Sequence, residues 1–168
     1  MSFSMYQAAV PGILQTLKAL DGVLAKAEAY AAEKKIDPAV LLNYRLAPDM
    51  FALTRQVQLV TDFAKGAMAR LAGREIPKYE DVETTIPELR ARIANVTAFV
   101  QGFAPADLDG SETRDVTLPI GGQPTTFKGQ DYLVNVVLPN FYFHATTAYA
   151  ILRHCGVPIG KRDFLARA

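Results

Sequence analysis

Two polar residues occupy positions where an apolar stripe is expected. Within the segment 130–155 the inward positions read Leu133, Val137, Asn140, His144, Thr147 and Ile151, the 3–4 spacing of one helical face. Asn140 and His144 are four residues apart, so their side chains share that face one turn from each other. A buried polar group left unpaired costs about 1–3 kcal/mol, and both residues therefore need partners. One reading is a closed structural network that braces a kink at Pro139 and takes the carbonyl that proline leaves free. The other is a pocket between helices in which His144 acts as a ligand or an acid/base group. Residue types and spacing leave both open.

Other reactive side chains lead less far. Cys155 follows His154 directly, and neighbours on a helix point about 100° apart, so no thiol–imidazole dyad is expected. Cys155 reads as a small apolar residue and His154 as a cap on the last turn. The run Gly156-Val157-Pro158-Ile159-Gly160-Lys161 is one residue short of a phosphate loop, follows a helix instead of a strand, and continues with Arg162 where a magnesium-binding hydroxyl belongs. Glu80-Asp81-Val82-Glu83 lacks the alternating ligands and glycine of a calcium loop and reads as solvated. Phe141, Tyr142 and Phe143 cover almost a full turn, more than one core can bury. Some of that surface must meet another element or a second chain, and a homodimer through the first or last helix is expected.

These residues need a scaffold, and periodicity supplies one. Ile13, Leu17, Leu20, Leu24, Ala27 and Ala31 mark a first helix over 12–34, started or kinked by Pro11-Gly12. Asp37-Pro38 opens a short helical piece as N-cap and first-turn proline. Pro48-Asp49 opens a second long helix, 49–72, ended by Gly73. After a polar loop over 74–83, Thr85-Ile86-Pro87-Glu88 caps a third helix, 86–103. Val116, Leu118 and Ile120 then alternate at period two before Gly121-Gly122, the signature of a hairpin over 115–128. The fourth helix covers 130–155 with Pro139 inside it. The expectation is an all-α single domain over 1–168, a four-helix bundle with a small β-hairpin between helices three and four.

Composition sets the outer limits. The 168 residues are 50% hydrophobic and 21% charged, which excludes a disordered chain. Surface scaling for this mass gives roughly 70% of the unfolded surface buried, enough for a core without metal or disulfides. Lysine plus arginine number 18 against 17 acidic residues, without the basic excess of a nucleic-acid binder. One cysteine excludes an internal disulfide. The most apolar window, Tyr132 to Leu152, carries Asn135, Pro139, Asn140 and His144, so no membrane span is expected. No signal peptide is visible at Met1-Ser2-Phe3-Ser4, and a cytoplasmic location is expected.

The run Asn140-Phe141-Tyr142-Phe143-His144, continuing through Ala148 to Val157, resembles the last helix of the DinB/YfiT-like superfamily. More narrowly, the chain resembles a bacterial family of unknown function within it. Leu46-Ala47-Pro48-Asp49-Met50-Phe51, Arg70-Leu71-Ala72-Gly73 and Gly160-Lys161-Arg162-Asp163-Phe164-Leu165 support the likeness. It implies a four-helix bundle in which several members hold a divalent metal on three histidines, one from helix two and an H-x-x-x-H pair from helix four. Some of those members transfer thiol cofactors such as mycothiol or bacillithiol, and others act as hydrolases or isomerases. Carried onto this chain, His144 matches the second histidine of the pair and Asn140 stands in place of the first. The helix-two ligand falls near Gln56, and helix two has no histidine.

Amide oxygens are poor ligands for first-row transition metals, and Asp49 offers its carboxylate about two turns from Gln56. No cofactor is therefore expected, zinc or nickel being the alternative. The leading functional reading is a small molecule bound in a polar pocket of His144, Asn140, Gln56, Asp49 and Tyr142, with the metal triad degenerate. The alternatives are a metal- or thiol-cofactor-dependent transferase or hydrolase, and a structural homodimer without ligand. If His144 lines an open pocket, His144→Ala costs about 1 kcal/mol or less. If it is a closed bond, the cost is about 2–4 kcal/mol.

Overall fold

The computed structural model describes residues 3–166. Its first helix, α1 (Met5–Lys34), begins before Pro11 because Ser4 and Gln7 form a capping box. The Ser4 hydroxyl accepts from the Gln7 N–H at 3.3 Å, and the Gln7 side-chain Oε1 accepts from the Ser4 N–H at 3.2 Å. Two end groups are satisfied together, and Pro11 is carried inside the helix. The expected start at residue 12 is therefore corrected to Met5. Asp37 caps the short α2 (Pro38–Leu42) as its sequence suggests, accepting from the Ala39 N–H at 2.9 Å.

The second long helix also starts elsewhere than expected. Pro48 and Asp49 lie inside a turn closed by the Met50 N–H on the Ala47 carbonyl, the other structure that a Pro-Asp pair favours. Helix α3 runs from Leu53 to Ala72 and ends on Gly73 with φ +66°. A second capping box, Thr85 with Glu88, opens α4 (Ile86–Gln101). The short α5 (Pro105–Leu108) and a 3-10 turn (Ser111–Thr113) follow. Strands β1 (Asp115–Ile120) and β2 (Gln123–Lys128) form one antiparallel hairpin with Val116 opposite Phe127. Gly121 and Gly122 both have positive φ, as the two-residue hairpin turn requires.

The last long stretch is not uniform. It begins as α6 (Gly129–Asp131), widens into a π-helical segment (Tyr132–Val137), and continues as α7 (Leu138–His154). The Leu138 N–H bonds the Leu133 carbonyl, five residues back. Pro139 follows at once, so the irregularity expected there takes the form of a wide turn that absorbs the missing donor and the ring. A short α8 (Lys161–Phe164) packs on α1.

The protein is mostly helical with one small hairpin. Helix α3 packs against α7 and α4, and α1 against α4 and α7. Leu17, Leu24, Val57, Val60, Val96, Phe141 and Ile151 are fully buried among these four. The short α2, α5, α6 and α8 show that a reading of four helices undercounts the helical segments. Among the described residues no helix is long and apolar enough to cross a membrane.

Candidate functional site

The α3–α7 contact brings Gln56 against His144. Gln56 is 1% exposed and His144 9%, and His144 Nδ1 lies 2.7 Å from Gln56 Oε1. The other end of the amide, Gln56 Nε2, donates to the Phe51 carbonyl at 3.1 Å. A carbonyl only accepts, so the amide group facing Phe51 is the nitrogen and the group facing His144 is the oxygen. His144 Nδ1 must then carry a proton, and Nε2 of the neutral ring keeps its lone pair.

Among the described residues the one buried side-chain polar atom without a partner is Ser111 Oγ. Among these residues Nε2 of His144 takes no partner either, and since it is not a buried unpaired atom it keeps some exposure to solvent. Phe63 stacks on the imidazole at 5.8 Å between centroids and 20° between planes, and Phe143 meets it edge-on at 5.3 Å and 83°. Burial lowers the His144 pKa below 6.5, and the nearby Arg55 charge lowers it further. The ring is neutral at pH 7 and offers one hydrogen-bond acceptor between two phenyl groups.

The other expected pocket residues lie differently. Asn140 is one turn from His144, but its Nδ2 donates to the Val136 carbonyl at 2.7 Å, bracing the wide turn beside Pro139. Tyr142 turns towards α1, where its hydroxyl lies so near Gly12 that a Cβ there would come within 2.8 Å. Burial raises its pKa, partly offset by a bond with Thr16. Asp49 is exposed in its turn. Of the five residues, the structure joins His144 and Gln56. Sequence reasoning missed Phe63, although its spacing of seven from Gln56 puts it on the same face of α3. His154 Nε2 bonds the Tyr44 hydroxyl at 2.9 Å, while the half-buried Cys155 thiol is pushed up by burial.

A second polar cluster lies on another side of α3. The Arg92 side chain is 3% exposed and spends its donors on five groups. Nε donates to Thr61 at 2.7 Å, Nη1 to Glu83 at 3.0 Å and the Glu80 carbonyl at 3.1 Å, and Nη2 to Asp62 at 2.9 Å with Asp81 at 3.0 Å. The acidic loop read as solvated is thus fastened down by one arginine. Burial opposes the charges here, but the bond with Glu83 and the charges of Asp62, Glu83 and Asp81 outweigh it and raise the Arg92 pKa. Burial likewise works against ionised Glu83, yet bonds from Gln58 and Arg92 hold its pKa below 4.5. Arg55 bonds Asp81 at 2.5 Å and so links this loop to the neighbourhood of His144. Among the described residues no three His, Cys, Asp or Glu side chains are grouped to hold a metal ion.

Comparison with known proteins agrees with this architecture. Residues 5–165 match the family described as a domain of unknown function, DUF1993. The chain is also similar to the crystal structure of a DinB family member from Shewanella denitrificans, at 46% identity and a TM-score of 0.90. The match covers 95% of this chain and 90% of that one. No curated protein matches. The protein is thus a helical chain of the DinB-like class. It belongs to the DUF1993 family.

Proposed function

We propose that the four long helices act as a DinB-type bundle whose metal chemistry has been replaced by a binding site for a small neutral molecule. The observation that carries this reading is the relay from the Phe51 carbonyl through Gln56 to His144 Nδ1. A metal held by the two positions would need lone pairs converging on it. Here a proton lies between them, and Asn140 gives its amide nitrogen to Val136. The residues present do not fit the superfamily's metal.

What the arrangement supports is recognition. Nε2 accepts a hydrogen bond from a ligand O–H or N–H, and Phe63 and Phe143 add apolar contact on either side of the ring. A transferase or hydrolase reading is less well supported, since the groups against the imidazole are an amide and two phenyls, none of them a nucleophile.

Long-range proton–nitrogen NMR tests the proposal. The expected spectrum has His144 in the Nδ1–H form, with Nε2 shifting saturably on addition of phenol as a neutral aromatic donor. An Nε2–H ring, or stoichiometric zinc or nickel retained through dialysis, would overturn it.

A second reading draws on the same aromatics. Phe143 is 58% exposed, with Tyr142 and Val134 also exposed on this helical stretch, and such a surface suits a homodimer through α7. Analytical ultracentrifugation tests it: a dimer is expected, and a monomer at high concentration would refute it.

A further inference from the structure

The segment between α3 and α4 crosses α3 at Ile76–Tyr79 and leaves a cleft of about 520 Å³ beneath it. Its charges are lopsided: Lys65, Arg70 and Lys78 line it against one carboxylate, Asp62. That carboxylate is already committed, since its Oδ1 takes Lys65 Nζ at 2.6 Å and Arg92 Nη2 at 2.9 Å. An anion entering the cleft therefore meets little repulsion from it.

Each cation has donors to spare. Lys65 is 7% exposed, and its ammonium group has three N–H donors. It bonds one Asp62 oxygen and lies 5.2 Å from the centroid of Tyr79. Arg70 is half-buried and pairs with no carboxylate among the described residues. Its Nη1 donates to the Tyr132 hydroxyl at 3.0 Å, and the guanidinium lies over Gly66, where a Cβ would come within 2.5 Å of it. Glycine at 66 and the phenol of Tyr132 thus hold the guanidinium along the cleft wall. Lys78 is exposed on the opposite lip and, among the described residues, forms no ion pair.

We propose that this cleft binds a small oxyanion, a phosphate or carboxylate group, with Arg70 and Lys78 as its principal donors and Lys65 at its floor. A planar guanidinium suits either group, and Ile76, Pro77 and Tyr79 give an apolar wall for the body of the molecule that carries it. The cleft shares no lining residue with the His144 site, so the two stand or fall separately.

NMR titration with inorganic phosphate and, separately, with citrate tests this at low and at physiological ionic strength. The expected result is saturable shifts at Gly66, Ile76 and Tyr132 with at least one of the two anions. Saturation by phosphate alone identifies a phosphate group, and by citrate alone a carboxylate. Arg70→Gln should weaken binding roughly tenfold, the worth of one charge-assisted bond. Lys78→Gln should weaken it about threefold, as befits an exposed and screened charge, and His144→Ala should leave it unchanged. Should Arg70→Gln fail to fold, Lys78→Gln and Lys78→Glu decide the matter, because Lys78 holds no part of the fold. Shifts that never saturate, or equal binding by wild type and the Lys78 variants, mean an adventitious ion only and overturn the proposal.

Discussion

Helix α3 carries two polar clusters built on opposite terms. Around Arg92, a buried charge meets three carboxylates, a hydroxyl and a backbone carbonyl through four hydrogen bonds and a further ion pair. Around His144, a single neutral bond to Gln56 fixes the ring and leaves one nitrogen without a partner among the described residues. The first cluster fastens a loop and has nothing left to offer a ligand. The second is held by one bond and keeps an acceptor without a partner among the described residues. A buried polar group can thus serve the fold or serve chemistry, and the count of unspent valences separates the two roles.

The largest expected effect tests the fastening role. Arg92→Ala leaves Asp62 with Lys65 and Asp81 with Arg55 but takes from Glu83, the most buried of the three carboxylates, its cationic partner, and breaking a buried ion pair in this way costs about 3–5 kcal/mol. Urea titration reads it, and a loss below about 1 kcal/mol would show that water substitutes freely for the guanidinium.

His144→Ala should cost less, about 1 kcal/mol, because solvent already reaches the far side of the ring and can satisfy Gln56 Oε1. A loss above about 2 kcal/mol would mean that the imidazole belongs to a closed network like that of Arg92, and the contrast would vanish.

Acid separates the clusters by sign and range. Glu83 titrates below 4.5 when folded, so its stabilisation is present above that value and is lost as the pH falls through the lowered one. His144 titrates below 6.5 when folded. The unfolded chain then takes up the proton first, and stability begins to fall as the pH drops below 6.5. Urea midpoints measured against pH should show both declines in the wild type and only the lower one in His144→Ala. Identical profiles would contradict the assignment.

The smallest effect concerns the exposed ring. Phe143→Ser should change monomer stability by no more than about 0.5 kcal/mol, as for most surface changes, while abolishing the phenol-induced shift at Nε2. Retention of that shift would remove Phe143 from the site.

What could be read from the sequence follows the range of the interaction. Thr85 with Glu88, Asp37 with Pro38, and Gly121-Gly122 specify their elements within four residues, and each stands where its chemistry predicts. The start of α1 was hidden because Pro11 argues for a break, and the Ser4–Gln7 box that outweighs it is equally local. Arg92 left a trace, a charge between Leu89 and Ile93 on an apolar stripe, but its partners come from Thr61, Asp62 and the loop 80–83. Gln56 was indicated by family likeness and Asn140 by spacing, yet the bonds that distinguish them depend on which carbonyl lies within reach. Phe51 and Val136 supply those carbonyls, and neither is visible before the chain folds.

The wide turn at Tyr132–Val137 has a consequence for how the two ends of the last long stretch are phased. A π turn is in effect one residue inserted into an α-helix, and each residue advances the helix by about 100°. Deleting a single residue there would rotate everything before it by about that angle relative to α7 and set the Pro139 ring against the carbonyl four residues back. The hairpin, Gly129 and Tyr132 would then swing away from Ser111 and Arg70, the groups they now meet. The segment therefore works as an angular gear, setting the heading of the hairpin end independently of the heading of His144. Lengthening or shortening it by one residue would redirect one without disturbing the other.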